Sequence, residues 1–145
     1  MKRTLFAAIS FGITCIGVAL NAPANAAPST YQNTCRNMNV VEDVLEANCL
    51  TRDGREVYTN IRLRGIENID GRLVATNPNR VSSFYQSCGR FSVRGNVLRA
   101  TCRTRNGGLR NTAIALDGID NVDGSLRYNA PNVASRRFAP LPQMY

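Results

Sequence analysis

The chain of 145 residues contains no histidine, so the usual general base and the commonest metal ligand are both missing. Chemistry is left to ten carboxylates, the arginines and the cysteines. Cys35 and Cys49, then Cys88 and Cys102, repeat a C-x13-C spacing. A zinc site would ask for C-x2-C pairs or histidine, and neither is present. The fifth cysteine, Cys15, falls in the expected export signal described below, and the even count left in an exported chain points instead to disulfides. Each C-x13-C bridge would close a loop of about 15 residues and contribute roughly 3 kcal/mol by restricting the unfolded chain. Glu67 and Asp70 are an acid pair that could imitate a glycosidase couple. They sit beside a turn, however, and a catalytic pair must be held at a set separation across the sugar. These residues predict a binding protein without catalytic residues, cofactor or metal.

What must position those side chains is a repeated unit. The stretch Ile66 to Leu73, I-E-N-I-D-G-R-L, returns as I-D-N-V-D-G-S-L at Ile119 to Leu126. A shift of 53 positions aligns Tyr31–Leu73 with Phe84–Leu126 without a gap, and 18 of the 43 pairs are identical. Self-similarity at a fixed period marks a duplicated supersecondary unit whose copies share a core. The repeats run over 30–75 and 83–128 within a domain of residues 27–128. Of the three ways to pair four cysteines, duplication favours Cys35 with Cys49 and Cys88 with Cys102, because each bridge then repeats with its unit. Asp70-Gly71 and Asp123-Gly124 tolerate the positive φ of a two-residue type I′ turn, so each should be a hairpin tip.

The chain start has the three parts of a secretory signal: Lys2-Arg3, an apolar run from Leu5 to Leu20, and Ala-Asn-Ala at Ala24 to Ala26. Cleavage after Ala26 is expected, giving a secreted or periplasmic protein. The apolar run is short for a membrane span, and nothing later is long or apolar enough to make one. Removing Lys2 and Arg3 lowers the formal charge from +8 to +6, and every remaining basic residue is arginine. A basic surface admits anionic polymers as partners. The arginines read as scattered singly over both repeats, which favours a role in solubility. The tail 129–145 holds three prolines and has no counterpart in the first copy, so an extended or poorly ordered segment is expected there.

Along the first copy, Ser29 to Thr34 reads as a turn anchored by Tyr31. Met38, Val40 and Val41 mark a first strand and Glu42-Asp43 a turn; Val44 to Thr51 is a second strand, followed by a turn at Asp53-Gly54. Val57 to Leu63 alternates Val57, Thr59, Ile61 and Leu63 on one face with Tyr58, Asn60 and Arg62 on the other, the period of a half-buried strand. The second copy repeats this plan. No long helix is predicted. Val74 to Ser83, with Asn77-Pro78-Asn79, reads as a polar joint and the natural hinge.

Duplicated units of about 50 residues, one C-x13-C pair in each, and the ordered series C-R-T-R-N-G-G, I-x-L and I-x-N-V-D-G-S-L-R-Y over Cys102–Tyr128 carry a resemblance. From Thr30 to Tyr128 the chain resembles the cyanovirin-N homology (CVNH) family. The resemblance implies an all-β fold of two pseudo-symmetric halves, each a three-stranded sheet capped by the hairpin of the other repeat. It also implies a lectin for mannose-rich glycans, with α1,2-linked mannose ends as the usual ligand. Partners would be mannose-containing oligosaccharides or glycoproteins rather than nucleic acid, and the chain a monomer or domain-swapped homodimer. The alternative is a basic module for cell envelopes or anionic polysaccharides without sugar specificity.

Sugars present hydroxyls that both donate and accept, so a site for them needs carboxylates, amides, hydroxyls and arginine around a shallow cleft. Carried over by position, the resemblance implies a stronger site from Glu67, Asn68, Asp70, Ser82, Ser83, Gln86, Ser87, Arg103, Thr104 and Arg105. A weaker one would use Thr30, Asn33, Thr34, Thr51, Arg52, Asp120, Asn121 and Asp123. The second is weaker because Leu50, directly after Cys49, offers no side-chain hydrogen bond to a sugar. Asn68, Asp70, Asn121 and Asp123 have a second role open to them as turn-formers.

Overall fold

A computed structural model describes residues 27–129. The expected signal over 1–26 and the tail beyond Asn129 lie outside the described residues. Ten strands follow in order: β1 (Cys35–Val41), β2 (Val44–Leu50), β3 (Glu56–Arg62), β4 (Ile66–Ile69), β5 (Arg72–Ala75), β6 (Cys88–Arg94), β7 (Val97–Arg103), β8 (Leu109–Ala115), β9 (Ile119–Val122) and β10 (Ser125–Tyr128). One turn of 3-10 helix precedes each sheet, at Tyr31–Asn33 and Phe84–Gln86. The strands form two antiparallel meanders, β1-β2-β3 and β6-β7-β8, and two hairpins, β4-β5 and β9-β10.

The period of two decides the faces. In β7, Leu98, Ala100 and Cys102 are buried while Arg99 and Arg103 are exposed; β2 buries Leu45, Ala47 and Cys49 in the same way. Cys35 lies opposite Cys49, and Cys88 opposite Cys102, and both pairs are bridged within their own repeat. At the hairpin tips Asp70 and Gly71 have φ of 51° and 80°, and Asp123 and Gly124 of 51° and 85°. Positive φ at both central residues is the type I′ geometry whose twist matches that of paired strands.

A three-stranded sheet has one apolar face, and a single hairpin is marginal alone. The chain resolves this by exchange: β4-β5 packs on the second sheet through β8, and β9-β10 on the first through β3. Two side chains lock the register, since Thr112 Oγ1 accepts from Leu73 N–H and Thr59 Oγ1 from Leu126 N–H, both at 3.1 Å. Tyr31 and Phe84, equivalent in the repeats, are fully buried in the shared core with Leu45, Leu63, Leu98 and Leu116. The Tyr31 hydroxyl donates to Gly95 O at 3.1 Å, and burial pushes its pKa up to about 12.

The segment expected to be a hinge is pinned. Gly65 N–H donates to Arg80 O, Thr76 N–H to Gly65 O and Ser82 N–H to Leu63 O, at 2.8, 2.6 and 3.2 Å. Gly65 has φ +67°, and a Cβ there would lie 2.7 Å from Asn77 O. Ala27 and Asn129 play the same part in the other half, where Gly118 N–H donates to Ala27 O and Asn129 N–H to Gly118 O, at 2.7 and 2.8 Å. The third strand begins one residue earlier than expected, at Glu56, and Leu63 is buried just beyond its end.

Candidate functional site

Each hairpin tip meets the loop that follows the second cysteine of the other repeat, and this junction builds a cleft in each half. In the second half, Asn68 Nδ2 donates to Ser87 Oγ at 2.8 Å and to Arg103 O at 2.9 Å. Its Oδ1 accepts from Gly71 N–H at 2.8 Å, and Asp70 Oδ1 accepts from Arg105 N–H at 3.0 Å. The first half repeats the arrangement residue for residue. Asn121 Nδ2 donates to Thr34 Oγ1 and Leu50 O, Asn121 Oδ1 accepts from Gly124 N–H, and Asp123 Oδ1 accepts from Arg52 N–H, all between 2.8 and 2.9 Å. The Asn and Asp of N-x-D-G therefore clamp the hairpin to the partner loop as well as forming its turn.

The hydroxyls of Thr51 and Thr104 stay within their loops, donating to Asp53 and Asn106. That bond, then Arg55, holds the Asp53 carboxyl below its usual range. Ser83, Gln86 and Ser87 belong to the 3-10 turn before β6, of which Ser87 is bonded to Asn68, and Thr30, Asn33 and Thr34 hold the equivalent places before β1. Ser82 corrects the expected set. It is 2% exposed, and its Oγ accepts from Ile66 N–H at 3.0 Å. Ser29 is its equivalent, also 2% exposed, accepting from Ile119 N–H at 2.9 Å and donating to Leu116 O. The two serines stand in for backbone partners where the chain enters each half, and Ser82 is no surface ligand.

The halves differ in what they leave free. Asp120 is engaged on both oxygens, by Thr30 Oγ1 at 2.6 Å and by Asn129 Nδ2 at 3.0 Å. Its counterpart Glu67 is half-buried and, among the described residues, accepts no hydrogen bond and pairs with no arginine. Arg103 and Arg105, whose main chains are bonded to Asn68 and Asp70 of the same hairpin, have exposed side chains. The first cleft has Leu50 where the second has Arg103, and Thr34, Leu50, Thr51, Arg52, Asn121, Val122 and Asp123 enclose a shallow depression of about 460 Å³. Leu50 and Val122 are 39% and 45% exposed. Among the described residues, no cluster of side chains has the composition of a metal site.

Two halves, exchanged hairpins and a cleft at each hairpin tip define the class of protein. A profile of the CVNH domain matches residues 31–127. The chain belongs to the CVNH family. Among solved structures, it is similar to microvirin, determined as a complex with mannobiose, at 33% identity over 70% of this chain and 99% of that one, with a TM-score of 0.53. The CVNH protein of T. borchii is 27% identical, with 69% and 99% covered and a TM-score of 0.57. The MoCVNH-LysM module of the rice blast fungus Magnaporthe oryzae shares the fold at 16% identity, with 71% and 99% covered and a TM-score of 0.61.

Proposed function

We propose that this protein is an exported lectin, cleaved after Ala26, that binds mannose-rich glycans through α1,2-linked mannose ends. The observation that carries the reading is membership of the CVNH family together with 33% identity to a protein solved with mannobiose bound. The stronger site is the second cleft, formed by Glu67, Asn68, Asp70, Ser83, Gln86, Ser87, Arg103, Thr104 and Arg105. Glu67 has free carboxylate oxygens to accept from sugar hydroxyls, and the exposed Arg105, in the loop clamped to Asp70 of the same hairpin, donates to sugar oxygens. Hydrogen bonds to charged groups are the costly ones to lose, on the order of 1.5 to 3 kcal/mol each. The weaker site is the first cleft, where Asp120 is already engaged and Leu50 offers only an apolar surface to the C–H face of a sugar.

A glycan array on the mature chain, followed by titration calorimetry with α1,2-mannobiose, tests the reading. Mannose-terminated glycans should dominate the array, free mannobiose should compete, and added salt should change affinity little. A flat response to mannose ends, or binding abolished by salt alone, would overturn it.

A further inference from the structure

The outer face of the second sheet carries a cationic groove whose lining shares no residue with either cleft. No Asp or Glu occurs between Asp70 and Asp117, a stretch that holds eight arginines. The fold brings part of this excess to one surface. On β7 the outward residues include Arg99, Thr101 and Arg103, paired across to Ser92 and Gly89 of β6 and to Ala113, Asn111 and Leu109 of β8. Arg94 shares this face through its pairing with Val97, and Arg90 occupies the bulge where the β6-β7 register shifts, with φ of 53°. Small residues leave the space between them open: Ala113 lies next to Arg99, and a Cβ added at Gly89 would touch nothing within 4 Å. The result is a depression of about 380 Å³ flanked by Arg90 and Arg99, in which Thr101 donates to Asn111 at 2.8 Å.

The same face of the first sheet differs in charge. Glu46 stands where Arg99 does and accepts from the Tyr58 hydroxyl at 2.9 Å, while Arg36 pairs with Glu56 and Arg62 with Asp43. Among the described residues, none of Arg90, Arg94, Arg99 or Arg103 has an acidic partner within 4.0 Å. Unpaired guanidinium groups on one sheet face repel one another and match the geometry of oxyanions. We propose that this groove binds an anionic polysaccharide, with Arg90 and Arg99 holding its sulfate, phosphate or carboxylate groups and Thr101 and Asn111 facing its hydroxyls. A saccharide chain fits better than a single-stranded nucleic acid because the groove offers no aromatic side chain on which a base could stack.

Binding of size-matched sulfated and neutral dextran oligosaccharides to the mature chain, measured by calorimetry across a salt series, tests the proposal independently of the mannose sites. Sulfated dextran should bind at low ionic strength and neutral dextran should not. Arg90→Glu with Arg99→Glu should weaken sulfated-dextran binding at least tenfold and flatten the salt dependence by about one unit of slope per arginine removed. Thermal melting of each variant checks that it is folded. Arg80→Glu with Arg127→Glu makes the same change in net charge away from the groove and should have little effect. The proposal is overturned if that control pair weakens binding equally, if neutral dextran binds as well as sulfated, or if single-stranded DNA of matched charge binds more tightly than the saccharide.

Discussion

Glu67 and Asp120 occupy equivalent positions, yet only Asp120 is tied down, by Thr30 and Asn129. This difference argues that sugar affinity is unequal between the clefts and can be tested one side chain at a time. Arg105→Ala should weaken mannobiose binding about tenfold, the equivalent of losing one charged hydrogen bond. Its melting temperature should hardly move, because the clamp to Asp70 is made by the Arg105 main chain. Arg52→Ala should do less; if it abolishes binding while Arg105→Ala does nothing, the ranking of the sites is reversed. Ser82→Ala should behave in the opposite manner. Leaving the buried Ile66 N–H without a partner costs about 1 to 3 kcal/mol, so melting should fall while affinity per folded molecule is kept.

The hairpin is the element on which both cleft and fold depend, and Gly71 and Gly124 are where it comes closest to its neighbour. Each has positive φ, and a Cβ at Gly124 would lie 2.5 Å from Val57 Cγ2 and 2.8 Å from Thr51 Cγ2. At Gly71 it would lie 2.7 Å from Thr104 Cγ2. Gly124→Ala therefore combines backbone strain with a clash against the first sheet, and should cost on the order of 2 kcal/mol or more in urea unfolding. Because the strain is local to the first cleft, sugar binding at the second should survive in the folded fraction. Loss of binding at both clefts would show that the halves are coupled more tightly than hairpin packing requires.

At the scale of the whole molecule, stability should fall in alkali through a buried phenol. The Tyr31 pKa rises from 10.0 to about 12 because burial disfavours the phenolate. The unfolded chain releases this proton near pH 10 and the folded chain only near 12. The stability it contributes is complete below pH 10 and is lost as pH climbs to about 12. Burial raises the Tyr128 pKa too, so this loss has the same sign. Urea midpoints measured between pH 8 and 12 should stay level and then drop, and Tyr31→Phe should lower the plateau but shrink the drop. An unchanged drop in the variant would place the alkaline sensitivity elsewhere.

Much of this was legible in the chain because it rests on local geometry. Period-two alternation, Asp-Gly tips and a C-x13-C pair per copy specify strands, turns and bridges through contacts near in sequence, and the 53-residue repeat then gives the symmetry. The resemblance supplied the hairpin exchange. What tertiary structure decided are the long-range partnerships. Ser82 reads as a polar surface residue until the buried Ile66 N–H claims it. Asn77-Pro78-Asn79 reads as a polar joint, and only the structure shows that Gly65 ties the segment to the domain through main-chain hydrogen bonds. Glu67 and Asp120 look interchangeable until Asn129, after the last strand, reaches only one of them. The arginines look dispersed along the chain until antiparallel pairing sets them beside small, uncharged neighbours on one sheet face. In each case the sequence determines which group is present, but whether that group faces water, a buried amide or another charge depends on segments far away in the chain.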